Sequence, residues 1–138
     1  MPRILCIDYG KKRTGIAVTD PLKIIATALT TVETSTLINF LKNYFSAEVV
    51  ELVLIGEPKN LDDSDTHATP LVNQFIQKFK KEFPLMKIEK VDERYTSKLA
   101  VQSMVAMGMK KKQRQKKENI DQIAAAIMLQ EYLKTLNP

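Results

Sequence analysis

With 138 residues, 44% of them hydrophobic and 27% charged, the chain has the length of one ordinary domain and a composition that excludes a disordered protein. Its one cysteine excludes an intrachain disulfide, and a single cysteine with a single histidine argues against a structural zinc site. Segment 110–117 holds six cationic side chains, and without them the remaining 15 basic and 16 acidic residues nearly cancel. We expect one domain over residues 1–138.

The first apolar run begins at Ile4 and stops at Asp8, and no apolar stretch approaches the roughly 20 residues that cross a bilayer. No secretory segment is predicted at the start of the sequence. We therefore expect a cytoplasmic protein with no membrane partner.

Three β-strands are predicted first. Residues 3–8 form a continuous apolar run, typical of a central strand that is buried on both faces. Residues 14–19 predict a second strand after a short turn that begins at Gly10, and residues 24–32 predict a third. Together they indicate an antiparallel meander.

The rest of the chain alternates between helical and extended patterns. The predicted elements are a helix over 37–45, a strand over 49–55 ended by Gly56, an acidic loop over 57–69, a helix over 70–83 capped by Thr69, a strand over 87–92, a helix over 96–109 and a last helix from Asn119. The order β-β-β-α-β-α-β-α-α predicts an α/β fold, in which a five-stranded mixed sheet carries helices on both faces.

Three acidic residues are candidates for chemistry. Asp8 ends the first strand and Glu93 follows the fifth, so both lie at the edge where α/β sheets usually bind ligands. Asp121 opens the last helix, whose run of three alanines lets it approach the sheet closely. Each acid taken singly also has a structural explanation: a turn residue at Asp8, an ion pair between Glu93 and Arg94, or helix N-terminal charge stabilisation at Asp121.

Taken together, the three carboxylates predict a site for Mg²⁺ or Mn²⁺, because hard divalent cations prefer carboxylate oxygens. Two such ions about 4 Å apart can activate a water and stabilise the leaving oxygen of a phosphodiester. We expect turns at Gly10, Gly15 and Gly56. The spacing of Gly10 and Gly15 matches that of a P-loop, but the Lys-Ser/Thr pair that such a loop requires is absent.

The basic residues predict a polyanionic partner, most often nucleic acid, although a solvated loop is the alternative explanation for segment 110–117. Candidate phosphate contacts in that segment are Lys110, Lys111, Lys112, Arg114, Lys116 and Lys117. Further candidates beside the acidic positions are Lys11, Lys12, Arg13 and Arg94.

Four segments resemble the motifs of the YqgF-type (RuvX) nuclease family, in the family's order and over nearly the whole chain. They are Asp8-Tyr9-Gly10-Lys11-Lys12-Arg13-Thr14-Gly15-Ile16-Ala17-Val18-Thr19-Asp20, Ile55-Gly56-Glu57-Pro58, Asp92-Glu93-Arg94-Tyr95-Thr96-Ser97 and Ile120-Asp121-Gln122-Ile123-Ala124-Ala125. The resemblance implies a ribonuclease-H-like fold related to RuvC-type Holliday-junction resolvases. It implies Asp8, Glu93 and Asp121 as catalytic acids, and maturation of the 5′ end of 16S rRNA as the activity.

Two other functions stay open. A Holliday-junction resolvase would perform the same chemistry on branched DNA, and would be expected to form a homodimer because two strands must be cut symmetrically. A non-enzymatic RNA-binding factor in transcription or ribosome assembly could use segment 110–117 without needing the three acids. An actin-like ATPase is excluded because 138 residues leave no room for its second lobe.

Overall fold

A computed structural model describes residues 2–57, 69–92 and 117–136 of the chain, with the backbone alone at residues 117–120. The strands are β1 Arg3–Asp8, β2 Arg13–Thr19, β3 Ala26–Glu33, β4 Val50–Glu57 and β5 Ile88–Asp92. The helices are α1 Leu37–Ala47, preceded by a short 3-10 turn at Thr34–Thr36, α2 Thr69–Glu82 and α3 Lys117–Leu136. No helix within these ranges is long and apolar enough to cross a membrane.

The described strands form one mixed sheet in the order β3-β2-β1-β4-β5, with β1 at its centre. β2 pairs antiparallel with both β1 and β3, which confirms the predicted meander. β4 runs parallel to β1, and β5 runs parallel to β4. The carboxyl ends of β1, β4 and β5 therefore meet at one edge of the sheet.

Side chains along β1 alternate between two hydrophobic cores, because successive residues of a strand point to opposite faces. Leu5 and Ile7 pack with α1 and α2, whereas Ile4 and Cys6 pack with α3. All four side chains are almost completely buried. This double burial explains the uninterrupted apolar run in the sequence, and it confirms helices on both faces of the sheet.

β3 begins at Ala26 rather than at the predicted residue 24. The carboxylate of Asp20 accepts hydrogen bonds from the backbone N–H groups of Ile24 and Ile25, both at 2.8 Å. The two N–H groups therefore donate within a turn and not to a neighbouring strand of the sheet. The same turn places Lys23 at a φ of 59°, in the left-handed region.

Two of the three expected turn glycines lie inside strands. Gly56 does not end β4, because parallel pairing of Gly56 with Val91 and of Glu57 with Asp92 continues the ladder. Gly15 lies within β2 and pairs with Asp8 of β1. The last helix begins at Lys117, two residues before the predicted Asn119. The predicted helix over 96–109 lies outside the described residues.

Candidate active site

The edge at which β1, β4 and β5 end carries an acidic residue at each strand terminus. Asp8, Glu57 and Asp92 are the last residues of the three strands. Strand alternation assigns Asp8 to the face that Ile4 and Cys6 share with α3. It assigns Asp92 to the opposite face, with Ile88. Asp8 is therefore the strand-terminal acid of β1 on the α3 face.

α3 reaches this edge through Gly15, the cross-strand partner of Asp8. A Cβ built on Gly15 would lie 2.1 Å from the carbonyl oxygen of Asp121 and 2.6 Å from the backbone nitrogen of Gln122. Only a residue without a side chain permits this approach. Gly15 lies within the strand predicted over 14–19, and the turn expected at Gly15 is wrong. The missing side chain of Gly15 admits the first turns of α3 onto β2.

The predicted alanine run supports the same approach. Ala124 and Ala125 are 1% and 0% exposed, and Ala125 packs with Met128 and Leu129 of α3 against the sheet. Small side chains bring the helix backbone close to the strands, so Asp121 lies beside the cross-strand neighbour of Asp8. The structure thus brings two of the three predicted acids to one face of one sheet edge.

Arg13 forms an ion pair with Asp121 in this region. Its Nε lies 3.7 Å from Oδ2 of Asp121, and the two side chains are 32% and 27% exposed. This Nε is buried and has no hydrogen-bond partner among the described residues. The guanidinium of Arg13, which the sequence suggested as a phosphate contact, therefore lies where it offsets part of the negative charge of Asp121.

The loop between β1 and β2 is held by Thr34. Its hydroxyl donates to the carbonyl of Gly10 at 2.6 Å, and its backbone N–H donates to the carbonyl of Lys12 at 2.9 Å. Gly10 lies in this loop, where a Cβ would stand 2.3 Å from the carbonyl oxygen of Arg13. Sequence reasoning did not single out Thr34, because nothing in its spacing links it to a loop more than 20 residues earlier.

Lys11 and Lys12 are exposed at the tip of this loop. With Arg13 they line an open cavity of about 550 Å³, whose lining also includes Thr31, Glu33 and Ser35. Because Arg13 pairs with Asp121, the excess positive charge comes from Lys11 and Lys12 against the one carboxylate of Glu33, beside the acidic edge. Such a surface suits the phosphates of a nucleic acid.

Several predicted site residues lie outside the described part of the chain. They are Glu93, Arg94, Lys110, Lys111, Lys112, Arg114 and Lys116, and Lys117 is described by its backbone only. Among the described residues, no group of three acidic, histidine or cysteine side chains is placed to hold a metal ion. The described part of the site consists of Asp8 and Asp121 with Arg13 and the β1–β2 loop.

Tyr9, directly after Asp8, is another residue that the sequence analysis did not assign. Its ring packs against Phe75 of α2 with the ring centroids 4.8 Å apart. Burial raises the pKa of the Tyr9 hydroxyl, so the phenol stays protonated at neutral pH. A neutral aromatic side chain thus follows the catalytic candidate Asp8 and lies on the opposite face of the sheet.

Comparison with known proteins identifies similar sequences and a similar fold. The sequence profile of the family described as "RuvX: Holliday junction resolvase" matches residues 2–135. A protein of Flavobacterium psychrophilum named "Putative pre-16S rRNA nuclease" is 57% identical over 133 residues, which cover 96% of this chain and 97% of that protein. A Flavobacterium johnsoniae protein of the same name is 58% identical, with 96% of each chain covered.

Among solved structures, Thermus thermophilus RuvC, "T. thermophilus RuvC in complex with Holliday junction substrate", superposes with a TM-score of 0.55. The match covers 99% of this chain and 96% of RuvC at 13% sequence identity. At that identity the likeness concerns the fold alone, and it confirms the predicted ribonuclease-H-like architecture. From its profile match and its full-length relatives, the chain belongs to the RuvX family of nucleases.

Proposed function

We propose that this protein is a metal-dependent nuclease that hydrolyses phosphodiester bonds in structured RNA, in the maturation of the 5′ end of 16S rRNA. The observation that carries the proposal is the contact of α3 with Gly15, which places Asp121 beside the cross-strand partner of Asp8. The RNA substrate is proposed from the name of the relatives that are 57% and 58% identical over nearly their full length. Bacterial rRNA is processed in the cytoplasm, which is the proposed location.

The donor chemistry of the site fits Mg²⁺ or Mn²⁺. Asp8 and Asp121 offer hard carboxylate oxygens at one edge, and neither imidazole nor thiolate is among the proposed ligands. The proposal takes Glu93 as the third ligand, because Asp92 has the strand parity of the opposite face. When bound, a divalent ion would supply an activated water and stabilise the leaving oxygen of the phosphodiester.

The side chains of the chain itself have separate tasks in this proposal. Asp8 is fixed by a strand that is buried on both faces, so its carboxylate is positioned before substrate arrives. The ion pair of Arg13 with Asp121 offsets part of the negative charge and limits repulsion between the acids. Lys11 and Lys12, exposed at the loop tip, attract the phosphates on either side of the bond to be cut.

Resolution of branched DNA is a second candidate function. The description of the matching family and the likeness to RuvC favour it. It makes one further demand, since symmetric cutting of a four-way junction requires two copies of the site. Homodimer formation would accordingly accompany this activity, whereas hydrolysis of a single RNA strand does not require it.

The experiment that tests the proposal offers 16S rRNA precursor fragments and four-way DNA junctions in parallel reactions with Mg²⁺, Mn²⁺ or EDTA. We expect cleavage of the precursor near its 5′ end with either metal and none with EDTA. Cleavage of the junction alone, by a dimer in analytical ultracentrifugation, would replace the RNA substrate by DNA. Nucleic-acid binding without cleavage of either substrate would contradict a nuclease and favour a binding factor.

A further inference from the structure

We infer that a second cavity, on the α1–α2 face of the sheet, binds one unpaired nucleotide next to the phosphodiester that is cut. We call it the nucleotide pocket; its volume is about 370 Å³, and its lining includes Tyr9, Lys11, Ile38, Leu71, Gln74 and Lys78. The inference deepens the proposed function and rests on it for the position of the cut. It adds a binding site and a requirement for a base that is free of pairing.

The position of the nucleotide pocket follows from Tyr9. Asp8 belongs to the face that packs against α3, and Tyr9, the next residue, packs against the core on the α1–α2 face. Consecutive Cα atoms are about 3.8 Å apart. If the scissile phosphate of an RNA lies at Asp8, the RNA therefore needs to cross only this edge of the sheet. The base next to the scissile phosphate can then reach the nucleotide pocket.

The floor of the pocket is apolar and aromatic. Ile38 of α1 and Leu71 of α2 are half-buried, and Phe75 is 6% exposed beneath the ring of Tyr9. Nucleobases bind to such surfaces by stacking and by apolar contact, with little dependence on sequence. Gln74, exposed on α2, adds an amide that can both donate to and accept from a base edge.

The charge of the rim identifies the ligand as an anion. Lys11 and Lys78 are exposed lysines on two sides of the pocket, and no acidic side chain among the described residues lines it. Lys11 also lines the basic cavity beside Arg13, so the two cavities share a cationic border. A different cavity near Pro84 is apolar but is lined by Glu51, which disfavours an anion there.

These features together favour a nucleotide over a free phosphate or an acidic peptide. A phosphate needs no apolar floor, and an acidic peptide gains little from an aromatic one. The size lies in the usual range for small-molecule sites, about 300–1,000 Å³. A base stacked inside a duplex cannot enter a cavity, so the nucleotide must be unpaired, as in a loop, bulge or single-stranded end of RNA.

The test measures binding in EDTA, where cleavage cannot contribute. A fluorescent single-stranded RNA and an abasic ribose-phosphate oligomer of equal length are titrated with the full-length protein by anisotropy. We expect the RNA to bind at least about fivefold more tightly, since base stacking on aromatic side chains is sequence-tolerant and substantial. Q74A should reduce this ratio, and K78Q should weaken the binding of both oligomers. The matched changes Q77A and K80Q, at exposed positions of the same helix, should have neither effect.

Competition separates the ligand classes. Adenosine monophosphate should displace the RNA at lower concentration than inorganic phosphate or an acidic peptide does. Equal binding of RNA and abasic oligomer, equal effects of the pocket and control variants, or displacement by the acidic peptide as readily as by the nucleotide would each overturn the inference. Base-dependent binding by a protein that cleaves nothing with Mn²⁺ would refute the proposed nuclease and leave the nucleotide pocket standing.

Discussion

Gly15 of β2 lies so close to Asp121 of α3 that a Cβ at Gly15 would stand 2.1 Å from the Asp121 carbonyl oxygen. Because Gly15 is also the cross-strand partner of Asp8, this contact ties the start of α3 to the end of β1. The spacing of the Asp8 and Asp121 carboxylates thus depends on the absence of a side chain at Gly15. A packing contact and the proposed chemistry share one residue.

Changing Gly15 to Ala should therefore weaken both the fold and the site. The new methyl group would meet three backbone atoms of α3, so the helix has to move away from β2. Overpacking of this kind costs about 1–3 kcal/mol, or several degrees in Tm for a domain of this size. Calorimetry and cleavage assays check the variant; unchanged Tm together with unchanged cleavage would show that the contact does not position Asp121.

The Asp20 turn predicts a pH dependence. Hydrogen bonds from the backbone N–H groups of Ile25, Ile24 and Leu22 hold the pKa of Asp20 below its ordinary value of 3.8. A lowered folded-state pKa contributes stability above the unfolded pKa, and this contribution is lost as the pH falls through the folded-state value. D20N should accordingly melt below the wild type at pH 7, and the gap should close under strong acid. A gap of the same size at every pH would contradict this assignment.

The basic segment should bind phosphates without reading sequence. Neutralising Lys110, Lys111, Lys112 and Arg114 with Gln should weaken RNA binding and lower its salt dependence by about 0.7 in log–log slope for each lost contact on a single strand. The matched control removes four exposed lysines elsewhere: Lys80, Lys81, Lys87 and Lys90. If both quadruple variants have the same salt slope, the segment does not contact the nucleic acid.

Asp8 should be indispensable to cleavage and dispensable to folding. The change Asp8→Asn is nearly isosteric and removes the charge that a cation requires, so cleavage should disappear while the circular dichroism spectrum is unchanged. Asp92→Asn is the matched control, since Asp92 ends a parallel strand at the same edge and on the opposite face. A folded Asp8→Asn protein that keeps most of its activity would remove Asp8 from the mechanism.

Sequence patterns were sufficient where one physical requirement dominates. The apolar run of β1 follows from burial on both faces, and the alanines near Asp121 follow from close helix packing. Sequence patterns did not predict the structure correctly where two different structural roles select the same type of residue. A glycine in a turn and a glycine at a close approach look alike in one sequence, which explains the error at Gly15.

Side-chain contacts between residues far apart in the chain could also not be predicted from the sequence. The ion pair of Arg13 with Asp121 joins the two ends of the chain, and no periodicity encodes it. The hydrogen bonds that Asp20 draws from Ile24 and Ile25 shortened β3, although both isoleucines favour strands. In each case a contact between polar groups determines the local structure, and a pattern of hydrophobic residues does not reveal such contacts.

The most direct measurement of the carboxylate site is a set of calorimetric scans of wild type, Asp8→Asn and Asp121→Asn, with and without Mn²⁺. Binding to the folded state alone adds about 2.7 kcal/mol at a hundredfold excess over Kd, which should raise the wild-type Tm by about 2–8 °C. Mn²⁺ is the better probe because Mg²⁺ dehydrates reluctantly.

Without metal, Asp8→Asn should melt slightly above wild type because one crowded charge is gone. In Asp121→Asn, loss of the ion pair with Arg13 lowers the Tm and so opposes the rise that removal of a crowded charge produces. With Mn²⁺, the wild-type Tm should rise and both variants should show no shift. A wild-type Tm that does not respond to Mn²⁺, at concentrations where cleavage is measured, would contradict a metal site at Asp8 and Asp121, as would an equal shift in the two variants.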